Sequence, residues 1–408
     1  MGVVPELVAP AGTWPSLTAA LDSGADAVYF GAKSLSMRAF AGNFEVNEIK
    51  KVVDLVKKHG KKAYLALNTI VMQHQLKTMK RIVDEAVCSG VDALIAADMS
   101  VINYAVSKGL AVHGSTQLSI SNAEAVAGFA KIGIKRAVLA RECSLKDISE
   151  IYNDISSKDL DFEIEAFVHG AMCLSISGRC FMSLYSDGRS ANQGACAQPC
   201  RREYKITAID NSAEFIVGQD YILSPKDLCS IEFLDLLMDA GARAFKIEGR
   251  MRPPEYVKEV VSAYREAIDL ILEDRYSDKD KQRLKQRVSN AYNRGLSSGF
   301  YFHRPDKEIG RWWHSFYEKR FLGQVRRFYP KIGVAEIELL ASDLILGDRL
   351  LFIGKRTGAK ESVAESIHID GNSVEKALKR ERIGVKLPFK VYPGDKVFLL
   401  VKRGVSGK

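Results

Sequence analysis

No stretch of this 408-residue chain approaches the ~20 consecutive apolar residues that cross a bilayer, so no membrane span is expected. The first residues, MGVVPELVAPAG, have neither a basic segment leading into a long apolar one nor an Arg-rich amphipathic character, and the expectation is a cytoplasmic protein. No HExxH zinc helix occurs, and the single GxSxG match, Gly295 to Gly299, lies at the end of the helical run KDKQRLKQRVSNAYNRGLSSG rather than in the strand-to-helix turn of a nucleophile elbow, which leaves out two sequence signs of peptidase and hydrolase chemistry. Cysteine is sparse and odd in number, seven residues, which argues against a disulfide scaffold and for a metal or redox role. The composition is that of an ordinary soluble globular protein, 47% apolar and 27% charged, long enough for one large and one small domain.

Four of the seven cysteines crowd together. Cys173, Cys180, Cys196 and Cys200 have the spacing C-x6-C-x15-C-x3-C within HGAMCLSISGRCFMSLYSDGRSANQGACAQPCRREY. Free cysteine usually behaves as a small core hydrophobe, a reading that suits Cys88 in the helical run RIVDEAVCSGVDA. It does not suit the cluster, whose Gly, Ser, Asn and Arg neighbours carry no sustained apolar period. Four thiolates serve either a tetrahedral zinc or an iron-sulfur cluster. Structural zinc sites more often use two tight C-x2-C pairs, and only the last pair here is close, so iron-sulfur is favoured and zinc kept as the alternative.

A phrase recurs through the first 250 residues: GADAVYFG at Gly24, GVDALIAAD at Gly90, GIKRAVLAR at Gly133 and GARAFKIEG at Gly241. Each glycine stands where an amphipathic run ends, as a helix C-terminus requires, and the short apolar run after it reads as a buried parallel strand. Strands near Leu7, Ala63, Val112 and Phe162 make eight, most separated by helices such as NEIKKVVDLVKKHG and TMKRIVDEAVCSG. The rhythm predicts an α/β fold, a (β/α)8 TIM-like barrel over residues 1–300, with an open doubly wound sheet as the alternative. The seventh and eighth strands are separated by an insertion of about 170–241 that holds the cysteines, far longer than an ordinary connection. Two helical stretches follow, the first opening on Pro253 and Pro254. A connector of 301–320 then leads to a small barrel-like β-domain over 321–408, expected to dock on the body because no low-complexity linker intervenes. Residues 301–408 hold 22 Lys and Arg against 13 Asp and Glu, so the whole formal charge of +9 lies there. Such an appendage suits a polyanion, while a merely solvated basic face is the bland reading.

In strand seven Glu163, Glu165, Phe167 and His169 alternate with Ile164, Ala166 and Val168; in strand eight Lys246, Glu248 and Arg250 alternate with Phe245 and Ile247. Alternate side chains point to opposite faces, so both polar sets are expected inside the barrel, with His169 at the carboxyl end where barrel enzymes keep their active sites. Glu165, His169, Lys246, Glu248 and Arg250 are therefore the candidate catalytic residues.

The run from Glu165 through Cys173, followed by Gly178-Arg-Cys180-Phe-Met182-Ser183, resembles the signature of the collagenase-like peptidases, family thirty-two of unknown mechanism. ELVAPAG, LDSGADAVYFG, GACAQPCR, SPKDLC and FKIEGRMRPPEYV extend the resemblance over nearly the whole chain, and the β-domain is similar to that of the longer members. The resemblance implies more than the family's name. Its members include proteins for prephenate-dependent hydroxylation of a tRNA uridine, a relative acting on ribosomal RNA, and paired proteins for oxygen-independent ubiquinone hydroxylation that hold a 4Fe-4S cluster in this region. Carried over by motif, the ligands are Cys173, Cys180, Cys196 and Cys200, with Cys229 as an alternative.

The expectation is an iron-sulfur enzyme for tRNA hydroxylation, with tRNA or another RNA and a small anion such as prephenate as partners, and a paired homologue or second copy of the chain as a further one. Prephenate has two carboxylates, which would suit Lys246 and Arg250. The competing expectation is proteolysis by a cysteine activated beside His169. Hydroxylation of another RNA or of a quinone precursor is the third.

Overall fold

A computed structural model describes residues 4–202, 204–207, 209–212, 214–217, 225–302 and 315–402. Eight parallel strands close into a barrel: β1 Glu6–Ala11, β2 Ala27–Gly31, β3 Lys62–Leu67, β4 Ala93–Ala96, β5 Val112–Gly114, β6 Ile134–Val138, β7 Glu163–Ala171 and β8 Ala244–Ile247. Each pairs with the next in sequence, and β8 pairs with both β7 and β1. This closure excludes the open sheet. Gly24, Gly90, Gly133 and Gly241 all have φ between 76° and 99°, the left-handed turn that ends a helix before the next strand begins.

The apolar faces of the strands and of the surrounding helices form one core, while a smaller cluster that includes Tyr29, Tyr64, Ala66 and Ile95 fills the barrel interior. The amino-terminal end is plugged by polar groups. Arg136 Nη1 donates to Glu6 Oε1 at 2.5 Å and the Tyr64 hydroxyl to the same oxygen at 2.6 Å. These polar groups close over the amino-terminal end of the interior.

The insertion between β7 and β8 carries the short helix Met182–Asp187, a hairpin of Tyr204–Thr207 and Glu214–Val217, and a strand, Asp227–Cys229, that runs antiparallel to β7. Two helices follow β8, Pro254–Leu272 and Asp278–Ser289, the first with proline at its first turn. Residues 303–314, most of the expected connector, lie outside the described residues. An antiparallel sheet of eight strands then begins at Tyr317, slightly before the expected Phe321, and encloses its own apolar core. It rests on the barrel. Thr18 Oγ1 donates to the Lys355 carbonyl at 2.7 Å, the Lys355 ammonium lies 3.8 Å from the Trp14 ring centroid, and Lys319 pairs with Glu255 at 2.7 Å. Among the described residues no helix is long and apolar enough to cross a membrane.

Candidate active site

The carboxyl ends of the strands open on a cleft. Phe167 of β7 and Lys246 of β8 form part of its wall. Glu165 is buried one layer below, and its Oε1 accepts a hydrogen bond from Lys246 Nζ at 2.7 Å. The ammonium also lies 4.6 Å from the Tyr29 ring centroid, a favourable cation–π distance. Past the end of β8, Glu248 and Arg250 reach the same cleft. Arg38 Nε donates to Glu248 Oε1 at 3.1 Å, the Tyr29 hydroxyl donates to the Ile247 carbonyl at 2.9 Å, and Arg250 Nη1 donates to Ser36 Oγ at 2.6 Å. Burial alone would raise the Glu248 carboxyl, but Arg38, Arg141 and Arg250 outweigh it and hold it at about 2. Four cationic side chains, Arg38, Arg141, Lys246 and Arg250, therefore face the cleft against the single lining carboxylate of Glu248. Arg250 Nε, Thr116 Oγ1 and Ser177 Oγ are buried without hydrogen-bond partners. The arrangement is chemically suited to a small polar anion.

Cys173, Cys180, Cys196 and Cys200 all line this cleft and all are half-buried. The insertion fixes them through its backbone: Cys180 N–H donates to Asn192 Oδ1 at 3.2 Å, Met182 N–H to Cys180 Sγ at 3.3 Å, and Arg201 Nη2 to the Met172 carbonyl at 2.8 Å. Burial raises the Cys200 thiol, Arg201 opposes that, and the other three cysteines raise it further. No three His, Cys, Asp or Glu side chains among the described residues are grouped to hold a single metal ion. The donor set, four thiols around one cavity, is chemically that of a four-thiolate group such as a 4Fe-4S cluster.

Strict alternation fails at one expected residue. Lys246 pairs with Phe167 but Ile247 pairs with His169, so Val168 is the extra residue of a bulge. Phe167 keeps the inward direction and His169 turns outward under helix Pro254–Leu272. There its Nδ1 lies 3.3 Å from the Tyr264 hydroxyl and its ring 6.1 Å from that of Tyr256. Burial lowers His169 to about 4. His169 thus stands behind the barrel wall, and no histidine among the described residues lines the cleft. Cys229 occupies the same outer layer, opposite His169 in the sheet and with Sγ 3.9 Å from the Tyr264 hydroxyl. Burial raises its thiol to about 11. It is apart from the other four thiols. Cys88, read from sequence as a core position, is exposed on its helix.

Tyr29, Arg38, Asn68 and Arg141 complete the cleft without having been expected there. Asn68 directly follows β3, and Arg141 lies three residues past β6. A polar residue just beyond an apolar strand of a barrel was the available signal. Arg38 lay in a glycine- and serine-bearing loop with no such mark.

A profile of peptidase family U32 matches residues 12–311. The chain is 43% identical over 412 residues to a protein of Methanocaldococcus jannaschii named as an uncharacterized protease, covering 98% of this chain and 99% of that one. It is 38% identical to a collagenase of Porphyromonas gingivalis over 98% of both chains. It is 32% identical to tRNA hydroxylation protein P1 of Bacillus subtilis, over 96% of this chain and 94% of the other.

Proposed function

The chain belongs to peptidase family U32, and from that premise we propose that it acts in oxygen-independent hydroxylation of an RNA base, with a tRNA uridine as the first candidate. One observation carries this reading: four thiols and four cationic side chains line a single cleft at the catalytic end of a barrel. The name of the Bacillus subtilis relative supports the same direction.

In this reading Cys173, Cys180, Cys196 and Cys200 hold a 4Fe-4S cluster, which when bound supplies electron transfer or oxygen-atom activation. Lys246 and Arg250 bind the carboxylates of a small dianion such as prephenate, and Arg38 and Arg141 add positive potential. Glu165 orients Lys246 through their 2.7 Å contact. Glu248, held ionised at about 2, is too weak a base to collect protons at neutral pH, so its work is to fix Arg38. The Tyr29 ring and Phe167 close the lower wall and exclude water from the bound anion.

Proteolysis is the second reading, favoured by the collagenase relative. A cysteine nucleophile would need a base within hydrogen-bond reach, and His169 lies behind the wall. Mass spectrometry of nucleosides from cells lacking the protein, then supplied with wild type or Cys180→Ala, separates the two. Loss of one hydroxylated nucleoside, restored only by wild type, is expected. An unchanged nucleoside profile together with gelatin cleavage by the purified chain would establish proteolysis instead.

A further inference from the structure

Cys196 lines two cavities. One is the cleft just described; the other is a more open cleft on the outer side of the insertion, bordered by Phe40, Asp187, Arg189, Gln198, Arg202 and Met251. Met251 in turn borders a third cleft, between helix Pro254–Leu272 and the C-terminal domain. The three stand in series from the barrel mouth to the domain that carries the positive charge.

The wall between the first two is the loop after β2. Leu35, Arg38 and Asn43 take φ values of 58°, 71° and 43°, left-handed conformations that residues other than glycine seldom adopt and that persist only where the surroundings enforce them. The surroundings here are specific. Met37 N–H donates to Asn68 Oδ1 at 3.1 Å and Ala39 N–H to the Gly194 carbonyl at 2.9 Å. A Cβ at Gly194 would come within 2.3 Å of the Ser36 carbonyl oxygen. The result is a loop with two faces, Arg38 turned inward to Glu248 and Phe40 outward into the second cleft. Phe40 is an exposed aromatic whose position is built into the fold. The Arg189 guanidinium lies 5.3 Å from its ring centroid and makes no ion pair among the described residues, whereas Arg202 is paired with Asp187.

We propose that this outer cleft is a subsite for one unpaired nucleotide of an RNA loop. Its base stacks on Phe40, its phosphate meets Arg189, and the neighbouring nucleotide presents its base to the thiol-lined cleft. An aromatic face, the Arg189 guanidinium at its edge of the cleft and the amide of Gln198, which both donates and accepts, form the set with which proteins take splayed-out bases. The inference rests on the RNA reading of the active site and adds to it the residues that select a single-stranded substrate.

The test uses the full chain, a fluorescent twelve-nucleotide oligouridylate and a twelve-base-pair RNA duplex, followed by polarization at several salt concentrations. Phe40→Ala should weaken oligouridylate binding roughly 5- to 150-fold with its salt slope unchanged, and Phe40→Trp should retain binding. Arg189→Gln should lower the slope by roughly 0.7. Duplex binding should change by less than about twofold in Phe40→Ala, because a duplex offers no unstacked base. Oligouridylate affinities and slopes equal to wild type in both variants would overturn the subsite. So would displacement of the oligonucleotide by gelatin peptides in a Phe40-dependent manner, which would give the cleft to a peptide. The nucleoside profile keeps the two ideas apart: a hydroxylated nucleoside that depends on the protein while Phe40→Ala binds RNA normally removes only the subsite, and a profile independent of the protein removes the activity.

Discussion

Lys246→Met should destabilise the protein by about 3–5 kcal/mol, the usual loss when one member of a buried ion pair is removed and the other is left uncompensated. The geometry puts this pair in that class. Glu165 is fully buried, the Lys246 side chain is 5% exposed, their contact is 2.7 Å, and the second oxygen of Glu165 already has no partner. Removing the ammonium strands a carboxylate in the barrel wall. The double variant Glu165→Leu/Lys246→Met removes both charges and should return to within about 1 kcal/mol of wild type or exceed it, because replacing a buried pair by apolar groups is often neutral or stabilising. Anion binding should behave differently. Both variants lack the cation that faces the cleft, so calorimetric titration with a dicarboxylate should show at least about tenfold weaker binding in each, a charge-assisted contact being worth roughly 1.5–3 kcal/mol. Urea denaturation of wild type, the two single variants and the double variant, beside the titrations, gives the whole cycle. A single variant within about 1 kcal/mol of wild type, or single losses that simply add in the double, would refute the buried coupling. Retained dicarboxylate affinity would remove Lys246 from the binding site.

Other outcomes are equally specific. Protein purified without oxygen should carry about four iron atoms per chain with a charge-transfer absorption that bleaches on reduction; Cys180→Ala should lose them, Cys88→Ala and Cys229→Ala should not, and stoichiometric zinc without iron would defeat the assignment. His169 is depressed by burial from 6.5 to about 4, so its contribution is complete above pH 6.5 and is lost as pH falls toward 4. It amounts to about 3 kcal/mol, and His169→Gln should flatten the urea stability profile in that window. Glu248, lowered to about 2 despite burial, likewise stabilises above about pH 4.5, with loss between there and pH 2 that Glu248→Gln should abolish. Lys379, Arg380 and Lys386 are exposed on the C-terminal domain. Replacing all three by Gln should reduce the salt slope of RNA binding by roughly 0.7–0.9 for each phosphate that these side chains had neutralised, whereas an unchanged slope would make that surface a solvated face only.

The barrel was legible because a buried parallel strand leaves a simple trace. VYFG, LIAA and RAVLA each follow a helix-ending glycine, and each becomes the strand it suggested. Periodicity also brought Lys246, Glu248 and Arg250 into one cleft with the four clustered cysteines. It could not foresee the bulge at Val168, since an added residue changes nothing in composition and reverses every side chain beyond it. His169 stands outside the barrel for that reason. Arg38 was hidden more deeply. Its direction depends on a left-handed backbone that arginine does not advertise, enforced by contacts with Asn68 and Gly194 far along the chain.

The seam that closes the barrel also sets a timetable for synthesis. β1 must pair with β8, Glu6 opposite Ala244, so once β1 has left the ribosome it waits for a partner about 240 residues behind it. At roughly 5–20 residues per second that is on the order of 10–50 s with one bare edge on the nascent sheet. Helix Trp14–Asp22, which follows β1, waits longer still for the C-terminal domain that covers it through Thr18 and Trp14. The newborn chain spends that interval with an unpaired strand edge and an uncovered helix, the two features that chaperones bind and that aggregation exploits.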